Sequence, residues 1–142
     1  MGTIARILAS KPLAIITARP TDSVISALKV LAEYNIGAMP VVSGEQLVGI
    51  FSERDYARKV VLQSRSSADT EVQAIMTTHV ICASPQQTVQ ECMKVMTDHH
   101  IRHLPVKDGE RLVGMLSIGD LVKAIIDEQQ FQIEQLESYI RS

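Results

Sequence analysis

Internal duplication constrains this chain more than any other feature. Residues 20–61 lie over residues 85–126 at a constant offset of 65 without a gap, and fourteen of the 42 aligned positions are identical. Among the identities are Pro20/Pro85, Val24/Val89, Ile36/Ile101, Pro40/Pro105, Gly44/Gly109, Gly49/Gly114, Ser52/Ser117 and Asp55/Asp120. Most other positions exchange like for like, as Leu28 with Met93, Met39 with Leu104 and Phe51 with Leu116, so a buried pattern is preserved and not merely a composition. A unit this small leaves one sheet face bare when it folds alone. The expected solution packs the two bare faces together about a pseudo-twofold axis. The 142-residue length and 46% hydrophobic content suit one compact unit that needs neither disulfides nor a structural metal.

Each copy reads as strand, helix, strand, strand, helix, an α/β (α+β) unit. Short apolar strands are expected at 14–17 and 80–83. Val24, Ala27, Leu28 and Leu31, like Val89, Cys92, Met93 and Met96, fall at i, i+3, i+4, i+7, one face of a helix, with Ser23 and Thr88 placed to cap it. Two strands joined by a tight turn follow, 39–42 with 47–51 and 104–106 with 112–116, Gly44 and Gly109 supplying the positive φ of the turn. A second helix starts near Ser52 and near Ser117. The first runs to about Gln63 and ends in the polar linker 64–69. The second continues toward the C-terminus without Gly or Pro, with Ile126, Ile133 and Ile140 seven apart and Leu136 between them. The amphipathic stretches 4–8 and 72–76 are expected to cover the sheet of the copy each precedes. Residues 1–65 are thus the first repeat, 66–126 the second and 127–142 a helical extension.

Sixteen acidic residues stand against fourteen basic ones, with no Trp and two Phe, so a nucleic-acid partner is not expected. The apolar runs are strand-sized, and Arg6 stands where a myristoylation motif after Met1-Gly2 wants Ser or Thr, so neither a membrane nor export is expected. Cys82 and Cys92 match no zinc spacing and no secreted framework, which favours a reducing, cytoplasmic setting. No G-x-S-x-G, H-E-x-x-H, P-loop or G-x-G-x-x-G occurs, so no catalytic residue is assigned and an enzyme is not expected.

Ser52-x-x-Asp55 and Ser117-x-x-Asp120 carry the chemistry, in duplicate. One reading is a helix cap, Ser at N-cap and a carboxylate three residues on. The other uses the same geometry for a ligand: helix N-H groups for a phosphate, the carboxylate for both hydroxyls of a ribose. The two readings are compatible. Gly49 and Gly114 fit either a strand bulge or a close approach of backbone to ligand. Arg54 lies in a first helical turn, where its cation opposes the dipole, which hints at a phosphate partner or leaves a solvated side chain. Of the three histidines His99, His100 and His103, His99 and His103 at i, i+4 would need an unbroken helix to ligate a metal, and the helix should end near His100, so no metal is assigned.

The paired Met39-Pro40-Val41 and Leu104-Pro105-Val106, together with the doubled segments Gly49 to Asp55 and Gly114 to Asp120, resemble the cystathionine beta-synthase (CBS) domain, over about nine-tenths of the chain. Such domains occur in pairs, and with no residues left for a further domain this chain is expected to be of the free-standing kind. The resemblance implies clefts that bind AMP, ADP or ATP, with NAD(H) as an alternative regulatory ligand, no catalytic cofactor, and an effector protein that reads occupancy. A structural dimerisation module with vestigial sites is the other reading. By the resemblance Asp55 and Asp120 take ribose. Ser52, Ser117, Arg54, Arg102 and His103 take phosphate. Ile16, Thr17, Ala18, Gly37, Ala38, Met39, Pro40, Ile81, Cys82, Ala83, Leu104 and Pro105 line the adenine pockets. It also implies that each cleft draws on both copies, Asp55 facing Arg102 and His103, and Asp120 facing Gly37 and Ala38; the second cleft is then expected to be almost free of cations. The apolar stripe beyond residue 126 predicts a homodimer.

Overall fold

The computed structural model describes residues 2–11 and 14–141. Eleven-residue helices with matching caps open both repeats. Helix α1 (Ile4–Ala9) comes first, followed by α2 (Val24–Tyr34), whose N-cap Ser23 accepts the Ser26 amide. Its counterpart in the second repeat is α5 (Val89–His99), where Thr88 and Glu91 form a capping box. Both end on a left-handed residue, Asn35 (φ 52°) and His100 (φ 54°). Strands β1 (Ala38–Ser43) and β2 (Gln46–Ser52) form one antiparallel hairpin, β3 (His103–Asp108) and β4 (Arg111–Ser117) the other. Gly44 (φ 63°) and Gly109 (φ 62°) turn the chain with the positive φ expected of them. The hairpins meet through β2 and β4.

Helix α3 (Glu53–Tyr56) follows β2 and widens at once into a π-helical turn, Ala57–Val61. Helix α4 (Val72–Ile75) precedes the second repeat, and α6 (Ile118–Arg141) follows β4 as one helix of 24 residues. None of the described helices is long and apolar enough to cross a membrane.

The short first strand of each copy is reduced to a single bridge. Ala18 pairs in parallel with Val41, and Ala83 with Val106. Ala18 donates to the Pro40 carbonyl (3.0 Å) and accepts from Val42 (2.9 Å). Extending this ladder back to Ile16 would require an N-H from Pro40, which has none; Pro105 stops the second copy in the same way.

The helices ahead of the repeats are exchanged. Ile4 of α1 lies in the second core with Val89, Leu104, Leu116 and Leu121, whereas Val72 and Ile75 of α4 lie in the first with Val24, Leu31, Met39 and Phe51. The expectation that each stretch covers the copy it precedes is therefore corrected: α1 covers the second repeat and α4 the first. Free N-H groups at the start of the opposite helix explain the preference. Val24 donates to Thr70 O (2.9 Å) and Val89 to Gly2 O (3.3 Å), while Val72 donates to Asp22 O (2.8 Å) and Ile4 to Gln87 O (2.9 Å). From α1 and α4 the chain then crosses to the other repeat.

Gly49 and Gly114 serve this crossing. Each lies beside a register shift in its hairpin. A Cβ on Gly49 would stand 2.6 Å from Met76 Sδ and 2.9 Å from the Thr77 carbonyl oxygen, and one on Gly114 would stand 2.6 Å from a Leu8 methyl. The close approach that these glycines permit is by the chain itself.

Candidate functional site

A cleft of about 440 Å³ opens where α3 begins, against the segments that enter β1 and β3. Ser52, Arg54 and Asp55 line it from one side, Gly37 and Ala38 from another, and Ile81, Arg102 and His103 complete it from the second repeat. Two-repeat construction is thus observed for this cleft. Gly37 and Ala38, expected to face Asp120, line the Asp55 cleft. A Cβ on Gly37 would stand 3.3 Å from His103 Cε1, so the two segments approach closely here.

The remaining expected adenine walls lie outside this cleft. Met39 and Leu104 are 1% exposed and lie in the two cores, beside Ala18 and Ala83. Pro40 and Pro105 are buried in their strands, Ile16 packs on the first core, Thr17 is exposed and Cys82 is half-buried. Burial pushes the Cys82 thiol up, with Lys107 pulling it partly back, so it is a poor nucleophile. Sequence reading missed Thr77 and His79, which also line the cleft; neither belongs to a repeated motif.

Asp55 is 6% exposed and fully engaged. Its Oδ2 accepts from the Ser52 amide (3.1 Å) and hydroxyl (2.9 Å), and the Ser52 hydroxyl in turn accepts the Asp55 amide (3.1 Å). Its Oδ1 accepts from Thr77 Oγ1 (3.2 Å) and pairs with Lys59 Nζ (3.1 Å). The capping box is therefore complete. Arg54 has a structural role across the repeats: its Nη1 donates to the His100 carbonyl (3.0 Å), placing a cation at the C-terminal end of α5. The guanidinium of Arg102 is exposed at the cleft and has no hydrogen bond or ion pair among the described residues.

The corresponding serine and aspartate of the second repeat lie at the start of α6. Asp120 Oδ2 accepts from the Ser117 amide (2.8 Å) and from Lys11 Nζ (2.7 Å), and the Lys11 ammonium also donates to the Met115 carbonyl (2.7 Å). A cation from the crossing chain thus sits on the carboxylate, which corrects the expectation of an almost cation-free second site. Burial pushes the Asp120 carboxyl up, but the Lys11 and Ser117 hydrogen bonds and the Lys11 charge outweigh it and hold the carboxyl below its ordinary value. His103 is held below the ordinary imidazole value, chiefly by burial, with Asp120 pulling it up and Lys11 and Arg102 pushing it down. Burial therefore favours the neutral ring of His103 in the cleft. Helix α5 ends at His99, leaving His99 and His103 on different elements.

The CBS domain profile matches residues 6–62 and 72–127, one copy per repeat. This chain belongs to the CBS domain family. It is 43% identical over 125 residues to the CBS domain-containing protein CBSX3, mitochondrial, of Arabidopsis thaliana, covering 84% of this chain and 61% of that protein. The chain thus spans less than two thirds of that relative. Among solved structures, a candidate signal-transduction protein with CBS domains from Burkholderia ambifaria is 52% identical at a TM-score of 0.87, covering 90% of this chain and 96% of its own. The CBS domain pair of protein MJ0100, solved in complex with 5′-methylthioadenosine and S-adenosyl-L-methionine, is 31% identical at a TM-score of 0.78, covering 89% and 98%.

Proposed function

We propose that this CBS pair is a regulatory module, not an enzyme, that binds adenosine-containing nucleotides between its repeats and signals occupancy to an effector protein. The observation that carries this reading is the 440 Å³ cleft, where the serine-aspartate cap, Arg54, Gly37 and Ala38 of the first repeat meet Ile81 and Arg102 of the second. Arg54 and Arg102 would meet phosphates, Asp55 would take the ribose, and Gly37, Ala38 and Ile81 would leave room for a flat base. Adenosine-derived ligands in the MJ0100 pair support the ligand class. AMP, ADP and ATP are the first choice and NAD(H) the alternative. The full engagement of Asp55 favours a second reading, in which the first site is a structural cap and no longer binds.

The test is calorimetric titration and thermal denaturation with AMP, ADP, ATP, NAD and NADH. At one hundred times Kd a bound ligand adds about 2.7 kcal/mol of stability. Asp55→Ala and Asp120→Ala should each weaken their own site tenfold or more, since hydrogen bonds to a charged acceptor contribute about 1.5–3 kcal/mol. No shift with any nucleotide at millimolar concentration refutes the reading; ATP or NAD returned chemically altered would make it an enzyme.

The proposal includes a homodimer. Val122, Ile126, Ile133, Leu136 and Ile140 of α6 are 41%, 57%, 49%, 63% and 79% exposed. They occupy the a and d positions of a heptad, and a second copy offers the same stripe. Light scattering should give a dimer for the full chain and a monomer for Leu136→Asp.

A further inference from the structure

The segments that cross between the repeats each bring a side chain to one of the two aspartates, and they bring different ones. The crossing that leaves α4 places the Thr77 hydroxyl 3.2 Å from Asp55 Oδ1. The crossing that leaves α1 places the Lys11 ammonium 2.7 Å from Asp120 Oδ2. Lys11 lies 109 residues from Asp120, and its side chain is 34% exposed, so it joins the site from outside the repeat motif and remains open to solvent. An ammonium has three N-H donors. Two are committed, to Asp120 and to the Met115 carbonyl, and among the described residues the third has no partner.

We infer that Lys11 is the specificity-determining residue of the Asp120 site and selects an anionic, phosphate-bearing nucleotide over the neutral nucleoside. This rests on the nucleotide reading above. A neutral ribose diol approaching Asp120 competes with an ammonium for the carboxylate and returns nothing to it. A nucleotide provides a replacement anion, because its phosphate can accept the third Lys11 N-H while the ribose hydroxyls share the carboxylate. Charge-assisted hydrogen bonds are the strong ones, so the gain falls on the phosphate. Beside Asp55 the lysine, Lys59, comes from the same helical segment; like Lys11 it also holds a carbonyl, that of Ile75 (3.0 Å), but it does not line the first cleft, to which the crossing supplies only a hydroxyl. Selection by a lysine on the crossing segment therefore belongs to the second site.

Calorimetric titration of the full chain with adenosine and with AMP tests this, using Asp120→Ala to identify the second site and Lys11→Met and Lys11→Arg as variants. The expected result is that Lys11→Met lowers the AMP-to-adenosine affinity ratio at the second site about tenfold or more, mainly through weaker AMP binding, while Lys11→Arg retains most of the preference. An unchanged ratio in Lys11→Met overturns the inference, as does equal tightening of both ligands, which would make Lys11 a plug. If Asp120→Ala leaves every nucleotide-binding event as strong as in the wild-type chain, the inference is overturned but the nucleotide reading is spared. If neither AMP nor adenosine binds the wild-type chain, the nucleotide reading itself fails.

Discussion

Asp55 and Asp120 occupy the same place in the two repeats, and each accepts the amide of the serine three residues before it. Their surroundings differ. The Asp55 side chain is 8% exposed and that of Asp120 24%, and the lysines that neutralise them come from unrelated places. Lys59 is four residues along the chain from Asp55, and its counterpart at the repeat offset is Ala124; Lys11 comes from the crossing segment, and its counterpart is Met76. Each aspartate thus has one cation beside it, from the local helix in one case and from the crossing chain in the other. A half-buried charge needs a partner, but the partner's origin is free to vary, and its origin decides which ligand the site can tell apart.

The largest expected effect separates the two cores. Ile4→Ala and Ile75→Ala each remove a fully buried side chain from an exchanged helix and should cost about 2–5 kcal/mol. Because of the exchange, Ile4→Ala should raise hydrogen exchange in α5 and β3 before α2 and β1, and Ile75→Ala the reverse. Loosening of the first repeat by Ile4→Ala would break the comparison at its base.

A smaller effect comes from the glycines at the crossings. Gly49→Ala and Gly114→Ala both overpack, at about 1–3 kcal/mol. Gly49→Ala should be the worse, because its Cβ meets the Thr77 carbonyl oxygen as well as a flexible methionine, whereas Gly114→Ala meets a leucine methyl that can rotate. Urea midpoints of the two variants measure the difference, and equal midpoints would show that Met76 and Leu8 set the cost, not the backbone.

The smallest effect is in acid. His103 has a folded pKa below its ordinary value, so the unfolded chain takes the proton first; stability present above about pH 6.5 should fall as the pH drops into the window below it. The lowered Asp120 carboxyl acts at lower pH, its contribution present above about pH 4 and lost as the pH falls through the folded value. In urea denaturation followed from about pH 8 to pH 3, His103→Gln should flatten the upper step and Lys11→Met the lower. If both variants flatten the same step, the two groups titrate as one.

Local chemistry made much of this molecule legible in the sequence. The hairpins, the helix caps at Ser23, Thr88 and Ser52, the helix end near His100 and the uninterrupted α6 follow from turn glycines, capping side chains and periodicity that act within a few residues. The repeat itself placed Ser52 with Asp55 and Ser117 with Asp120. The first strands were overestimated because apolar composition says strand while Pro40 and Pro105 withhold the N-H that a neighbouring ladder needs.

Tertiary structure alone decided the rest. Which core α1 joins depends on free N-H groups and an open face some eighty residues away, and no pattern inside Ile4–Ala9 reports that. Lys11 and Thr77 are ordinary residues by sequence and become part of the sites only because the crossings carry them there. Periodicity and capping record what a residue does for its own turn of chain. Partners across 109 residues are chosen by packing, and packing is a property of the assembled pair.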